Sequence, residues 1–261
     1  MIYFLSDAHL GSLAIERGWA QQKKLIDLLE KMSEDAVSIY MLGDMFDFWM
    51  EYYHHDKTKR QFSPFFKQLR RLRKRGIRIH FFTGNHDLWT FGGIEQLSGA
   101  EVHYEPCTIK RYGKLLYLAH GDGLLPRDWE QLYPKDVQRK IKNFIKLRKI
   151  FHNPFLQFCF RSLPPKWGNK FGYEWAKRSR MKELNHPCPY KGEDQEELVL
   201  FAKDQESRGN HSDYYIFGHR HIPLDLQLAS GARVVILGDT FKEWTYAKLD
   251  DKGNLTMHTY E

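Results

Sequence analysis

Cysteine is scarce in this chain of 261 residues: Cys107, Cys159 and Cys188 are odd in number and share no metal-site spacing. That excludes a disulfide scaffold and matches a reducing compartment. There is also no uninterrupted run of about eighteen apolar residues, so no transmembrane helix is expected. The opening MIYFLSDAHLG lacks a basic stretch, a long apolar stretch and a small-residue cleavage site. A cytoplasmic location is the expectation. A shortage of aromatics would signal disorder, but here they reach 15 %, with 42 % hydrophobic and 28 % charged residues. This is the composition of a folded globular chain with a sizeable core.

The net charge of +7 is unevenly placed. Residues 124–186 hold 15 Lys or Arg against 5 Asp or Glu, which leaves 25 basic and 28 acidic residues elsewhere. One segment therefore carries the excess and points to an anionic partner. A second basic run, residues 67–75, follows Phe62, Phe65 and Phe66 and contains Leu69 and Leu72 at helical spacing. It reads as a surface helix with a basic outer face rather than a nucleic-acid patch.

Short apolar runs at Ile2–Leu5, Val37–Leu42, Ile77–Phe82, Leu115–Ala119, Tyr214–Phe217 and Val234–Leu237 have the length and composition of buried strands. Helical patterns at Trp19–Met32 and Pro64–Arg75 alternate with the early ones, which implies β-α-β units. Leu224–Leu228 with Arg233–Leu237, and Tyr246–Leu249 with Leu255–Tyr260, read as hairpins. The expected fold is a mixed α/β sandwich with residues 124–212 inserted as a helical cap.

Five clusters fall at the carboxyl ends of expected strands: Asp7-Ala8-His9, Gly43-Asp44 with Asp47, Gly84-Asn85-His86-Asp87, His120-Gly121-Asp122 and Gly218-His219-Arg220-His221. Loops beyond strand ends converge on one crevice in open α/β sheets. Imidazole, carboxylate and amide oxygen without thiolate suit Mn²⁺, Fe or Zn²⁺ in a reactive rather than a structural site. His54, His55, His80, His103, His152, His186, His211 and His258 lie outside these clusters and read as surface or core histidines. Gly238-Asp239 echoes Gly43-Asp44 but has Lys242 where the first copy has Asp47, so Asp239 reads as structural.

In this order, D-x-H, GD-x-x-D, GNHD, H-G and GH-x-H resemble the signature of the calcineurin-like metallophosphoesterases. The resemblance implies a four-layer α/β/β/α sandwich with two divalent metal ions, Mn²⁺ being the expectation. Asp7, His9, Asp44 and His221 would hold one ion. Asp44, Asn85, His120 and His219 would hold the other, with Asp44 bridging. His86 would act beside the phosphate, its imidazole oriented and charge-stabilised by Asp47. Asp87 and Asp122 would support the site from behind.

LSDAHLG, LGDMFDFW, GNHDLW, HGDGLLPRDW and FGHRHIP, with WAKRSR inside the insertion, resemble the UDP-2,3-diacylglucosamine pyrophosphatase branch of that family. The branch implies an acylated nucleotide-sugar substrate, work at the cytoplasmic face of the inner membrane, and a helical lid over the acyl chains. Ser179 and Arg180 would be lid contacts to sugar or phosphate, and Asn85 would also meet substrate. The branch has Arg where this chain has His86, so a permanent cation is replaced by a group that titrates. In the insertion, Ile141, Phe144, Ile145, Leu147, Phe155 and Phe158 are interleaved with Lys140, Lys142, Lys146, Arg148 and Lys149. Such a stretch can lie on an anionic membrane, enclose an acyl chain, or simply fill a helical subdomain's own core. Two other readings are a generic metallophosphatase on a soluble phosphodiester and a nucleic-acid binder using the basic, aromatic cap. Nucleic acid is not expected as a partner, because no single-strand-binding motif accompanies the cap.

Overall fold

All six apolar runs form strands in the computed structural model, which describes residues 1–15, 17–185 and 189–261. His186 and Cys188 lie outside the described residues. The chain runs β1 (Ile2–Leu5), α1 (Gly18–Met32), β2 (Ser38–Leu42), α2 (Ser63–Lys74), β3 (Arg78–Phe82), α3 (Gly93–Ser98), β4 (Glu101–His103), β5 (Cys107–Arg111) and β6 (Lys114–Ala119). It continues through α4 (Trp129–Leu132), α5 (Lys135–Phe151), α6 (Pro154–Arg161), α7 (Pro165–Asn185) and α8 (Glu197–Ser207). The last strands are β7 (Tyr214–Phe217), β8 (Pro223–Gln227), β9 (Arg233–Leu237), β10 (Thr245–Leu249) and β11 (Leu255–Thr259). Sequence reading did not separate out β4 and β5. Both are short, and their mixed pattern of half-buried and exposed positions carries no long apolar run.

Two sheets face each other, ordered β11-β10-β1-β2-β3-β4 and β5-β6-β7-β9-β8. Strands β1, β2, β3 and β4 pair in parallel, as do β6, β7 and β9. Both expected hairpins form, β8 with β9 and β10 with β11. The apolar stripe of α2, Phe65, Phe66, Leu69 and Leu72, is buried with Leu25, Leu28 and Leu29 of α1 against the first sheet. Phe4, Tyr40, Leu42, Leu116, Ile216 and Val235 fill the space between sheets, and α8 covers the second sheet through Leu198, Val199 and Ala202. These are the four layers the resemblance implied.

The segment between β6 and β7 is helical; its last helix, α8, belongs to the sandwich, and among the described residues α5 and α6 close over no core of their own. Neither α5 nor α6 has a buried residue. Phe155, Phe158, Trp167 and Phe171 are more than half exposed. The cap is instead tied to the sandwich at discrete points: Trp89 Nε1 donates to the Phe151 carbonyl at 2.9 Å, and Tyr52 Oη to Asn169 Oδ1 at 3.1 Å. Gly168 and Gly172, one turn apart on α7, lie so close to Tyr52 and Phe48 that a Cβ would clash with either ring. Among the described residues, no helix is long and apolar enough to cross a membrane.

Candidate active site

Three of the five clusters sit in loops that follow parallel strands of the first sheet, and two follow β6 and β7 of the second. The facing sheets therefore bring all five to one edge. Backbone geometry there is unusual. Asp7, His9, Asp44, His219 and His221 all have positive φ, between 46° and 68°. Non-glycine residues adopt this left-handed region at a cost, and such strain concentrates at functional sites. It turns side chains two apart in sequence toward one point, which strand geometry at the ends of β1 and β7 would not guarantee.

Around one point, His221 Nε2 stands 3.0 Å from Asp7 Oδ1 and 3.2 Å from His9 Nε2. His9 Nε2 is 3.9 Å from Asp44 Oδ2. Around a second point, His120 Nε2 lies 3.4 Å from the same Asp44 Oδ2 and 3.3 Å from Asn85 Oδ1. The His219 ring packs edge-on to His120, with centroids 5.1 Å apart. One oxygen of Asp44 thus faces both groups, while its Oδ1 accepts the His86 main-chain N–H at 2.8 Å. This is the arrangement expected of a carboxylate shared by two cations. Nearby glycines make room for it: Gly84 packs directly on Asp44, and Gly43, at φ +86°, leaves space for the His120 ring.

The electrostatics point the same way. Asp7, Asp44 and Asp47 are almost fully buried. Burial alone would raise these carboxyls. Asp7 is nevertheless held well below the usual carboxylate range, mainly by His221, and Asp44 is lowered by His120, His86 and His9. Burial would lower His120 too, but Asp44 holds it well above the ordinary imidazole value. Burial and the positive charge on His120 push His219 down to about 4, leaving a neutral ring with a lone pair to offer. Clustered buried anions of this kind call for cations, and the imidazoles are backed as ligands should be. His120 Nδ1 meets the Leu42 carbonyl at 2.8 Å, which leaves Nε2 facing the site. Asp7, His9, Asp44, Asn85, His120, His219 and His221 therefore fit a pair of divalent ions by donor set and placement.

One expected pairing is not made. The Asp47 carboxylate does not orient the His86 ring. His86 Nδ1 meets the main-chain carbonyl of Asp47 at 2.6 Å. The carboxylate turns toward His9 Nδ1 at 3.4 Å and Arg180 Nη2 at 3.6 Å. His9 neighbours both residues, its ring 4.9 Å edge-on from that of His86 and its Nδ1 nearest the Asp47 carboxylate, which leaves His9 Nε2 on the side of Asp7, Asp44 and His221. Burial pushes the His86 imidazole below its usual value, so the ring is neutral near pH 7 with only Nε2 uncommitted.

Arg180 comes from α7 of the cap and is 2 % exposed. Besides Asp47 it meets His221 Nδ1 at 3.1 Å and lies over the Phe241 ring at 5.2 Å. Trp175, one and a half turns earlier, tilts over His86 with centroids 5.6 Å apart. Ser179 lies on the exposed side of the same helix and does not join Arg180 in the site. Asp87 accepts main-chain N–H groups from Gly84 at 2.7 Å and Met45 at 2.8 Å, lashing two site loops together. Asp122 pairs with Arg148 of the cap at 2.9 Å. The echo residue Asp239 accepts from the N–H groups of Phe241, Lys242 and Glu243, a turn-holding role. Sequence reasoning missed Arg220, whose guanidinium pairs doubly with buried Glu196 at 2.5 and 3.0 Å and anchors the loop holding His219 and His221. It also missed Gly168 and Gly172, although their i, i+4 spacing in a helical stretch is a visible sign of close packing.

Comparison with known proteins agrees with this geometry. The pattern of the family described as calcineurin-like phosphoesterase matches residues 1–239. The chain is 35 % identical over 260 residues to the UDP-2,3-diacylglucosamine hydrolase of Porphyromonas gingivalis, covering 95 % of this chain and 94 % of that one. It is 28 % identical over 243 residues to the protein of the same name from Aeromonas salmonicida, covering 92 % and 86 %. With that from Psychromonas ingrahamii it shares 26 % identity over 261 residues, covering 97 % and 96 %.

Proposed function

The chain belongs to the calcineurin-like phosphoesterase family, and from that premise we propose that it hydrolyses UDP-2,3-diacylglucosamine to UMP and 2,3-diacylglucosamine 1-phosphate, a step of lipid A synthesis. One observation carries the choice of substrate. The likeness to the Porphyromonas gingivalis hydrolase covers 95 % of the chain and so includes the cap as well as the catalytic sandwich. A generic phosphodiesterase would need only the sandwich.

Two divalent ions, in our reading Mn²⁺, would be held by Asp7, His9, Asp44 and His221 and by Asp44, Asn85, His120 and His219. When bound they supply Lewis-acid polarisation of phosphoryl oxygens and lower the pKa of water. The chain's own groups do the rest. Arg180 places a permanent cation on the cap side of the site, where the diphosphate carries charge. His86 keeps its Nδ1 on the Asp47 carbonyl, so its Nε2 is fixed beside the reacting phosphate for proton traffic. Asn85, half-buried, sets its amide oxygen 3.3 Å from His120 Nε2, from where it would help hold the second ion and meet a phosphate oxygen.

Next to His219, a cavity of about 240 Å³ is lined by Leu124, Leu125, Ile141, Phe144 and Leu198 together with Lys140, Glu197 and Arg220. Its apolar walls between α5 and the sandwich suit an acyl chain. Beyond it, exposed Phe155, Phe158, Trp167 and Phe171, with the lysines of α5, give the cap an apolar and cationic exterior. This surface suits peripheral attachment to the cytoplasmic face of an anionic membrane. With the acyl end anchored in the cap, the uridine-side phosphate would lie at the residues that would hold the metals; water oxygen would bond to its phosphorus, the bond from that phosphorus to the bridging oxygen would break, and 2,3-diacylglucosamine 1-phosphate would leave. In ¹⁸O-labelled water the label is expected in UMP. Label in the lipid phosphate alone would reverse the substrate's orientation. No hydrolysis of this substrate, with good turnover of a soluble phosphodiester, would replace the reading with a generic phosphodiesterase.

A further inference from the structure

Three more potential ligands meet at the far edge of the first sheet. His80 on β3 and Glu101 on β4 are register partners across the parallel pair, as are Phe82 and His103. Residues two apart on a strand share a face, so His80, Glu101 and His103 project together. His80 Nδ1 lies 3.1 Å from His103 Nε2 and 3.3 Å from Glu101 Oε2, and His103 Nε2 lies 3.7 Å from Glu101 Oε1.

We propose that His80, His103 and Glu101 bind a further divalent cation of the zinc class, separate from the catalytic pair. Zn²⁺ takes imidazole nitrogens and carboxylate oxygens at about 2.0–2.1 Å in a tetrahedron, which sets neighbouring ligand atoms about 3.3–3.4 Å apart. The separations to His80 Nδ1, 3.1 Å from His103 Nε2 and 3.3 Å from Glu101 Oε2, lie close to that value, while His103 Nε2 is 3.7 Å from the other carboxylate oxygen of exposed Glu101. Two imidazoles with one carboxylate leave a fourth position for water, on the side where Glu101 reaches solvent.

The rings are held for the role. Tyr40 stacks on His80 at 4.2 Å with 5° between planes, and Phe82 stacks on His103 at 4.5 Å. Burial pushes His80 down to about 4 and lowers His103 as well, so both are neutral near pH 7 and bring lone pairs rather than protons. A cation here would clasp β4, an edge strand of three residues, to β3. The same pairing continues into the catalytic loop, where the Thr83 N–H donates to the His103 carbonyl at 3.0 Å just before Gly84 and Asn85. The site is thus a staple that stiffens the stem of that loop.

The test is calorimetric titration of the full-length, Mn²⁺-loaded protein with Zn²⁺, with metal counted by elemental analysis after gel filtration. Any exchange of Zn²⁺ for Mn²⁺ at the catalytic centre is common to wild type and variants, so the readout is their difference. Wild type is expected to take up one more ion per chain than His103→Ala. Glu101→Gln, a change at an exposed carboxylate that leaves the core untouched, is expected to weaken that event at least tenfold. Circular dichroism and the denaturant midpoint of both variants serve as the folding control. Equal stoichiometry and affinity in wild type, His103→Ala and Glu101→Gln would overturn the proposal. This result is independent of which phosphoester is hydrolysed.

Discussion

Replacing Gly84 by Ala tests whether one shared carboxylate organises the site. Gly84 has an ordinary φ, so alanine costs nothing in backbone conformation; the conflict is purely one of space. Its Cβ would stand 2.7 Å from the Asp44 main-chain N and 2.8 Å from Cγ, with Oδ1 nearer still, where contacts under 3.0 Å are essentially never seen. Asp44 N is itself bound within the Asp87 anchor, so the carboxylate is the part that must give. Oδ2 then moves relative to both His9 and His120, and a misplacement on the order of 1 Å costs about a hundredfold in rate. Overpacking adds a stability loss of about 1–3 kcal/mol. Hydrolysis of the diacyl nucleotide sugar should therefore fall about a hundredfold, with bound metal reduced and the fold retained by circular dichroism. Gly18→Ala, where an added Cβ meets nothing within 4 Å, is the control. Near-normal turnover with two ions bound in Gly84→Ala would refute the shared-carboxylate reasoning.

His86→Ala should keep its metal and lose about a hundredfold in turnover, whereas Asp47→Asn should weaken metal binding about 10- to 100-fold through His9; equal metal affinity in the two variants would contradict the observed turn of Asp47. Replacing Lys142, Lys146 and Lys149 by Glu should weaken binding to anionic vesicles by about 1 kcal/mol for each lost positive charge, and unchanged binding in sedimentation would mean that the cap acts only as an intramolecular lid. Burial over Trp49 pushes Lys59 down from 10.5 to about 8. The unfolded chain then holds that proton more tightly, so stability should rise as pH climbs from about 8 to 10.5, by at most about 3 kcal/mol and less where solvent screens it. Denaturant unfolding should show this rise in wild type beyond that in Lys59→Met; parallel pH profiles would remove Lys59 as its source.

The candidate metal-binding residues could be picked out from the chain because each sits where an apolar run ends, and strand ends must meet at a sheet edge. Runs such as Ile2–Leu5 and Tyr214–Phe217 are short, β-branched or aromatic, and buried on both faces, so local pattern alone places them as strands. β4 escaped notice because an edge strand of three residues has too little apolar character to stand out, and with it went the meeting of His80 and His103. Residue type and order therefore determined the sandwich, its catalytic edge and the separate basic insertion. Only the tertiary structure decided which side chains face one another: that the Asp47 carboxylate faces His9 while its main-chain carbonyl meets His86, that Arg180 reaches in from the cap while Ser179 stays outside, and that α5 and α6 bury nothing of their own. Hydrophobic periodicity reports which face of an element is buried. The partner across that face is set by packing between residues far apart in sequence, and here by left-handed backbone at five of the candidate ligand positions that sequence pattern does not announce.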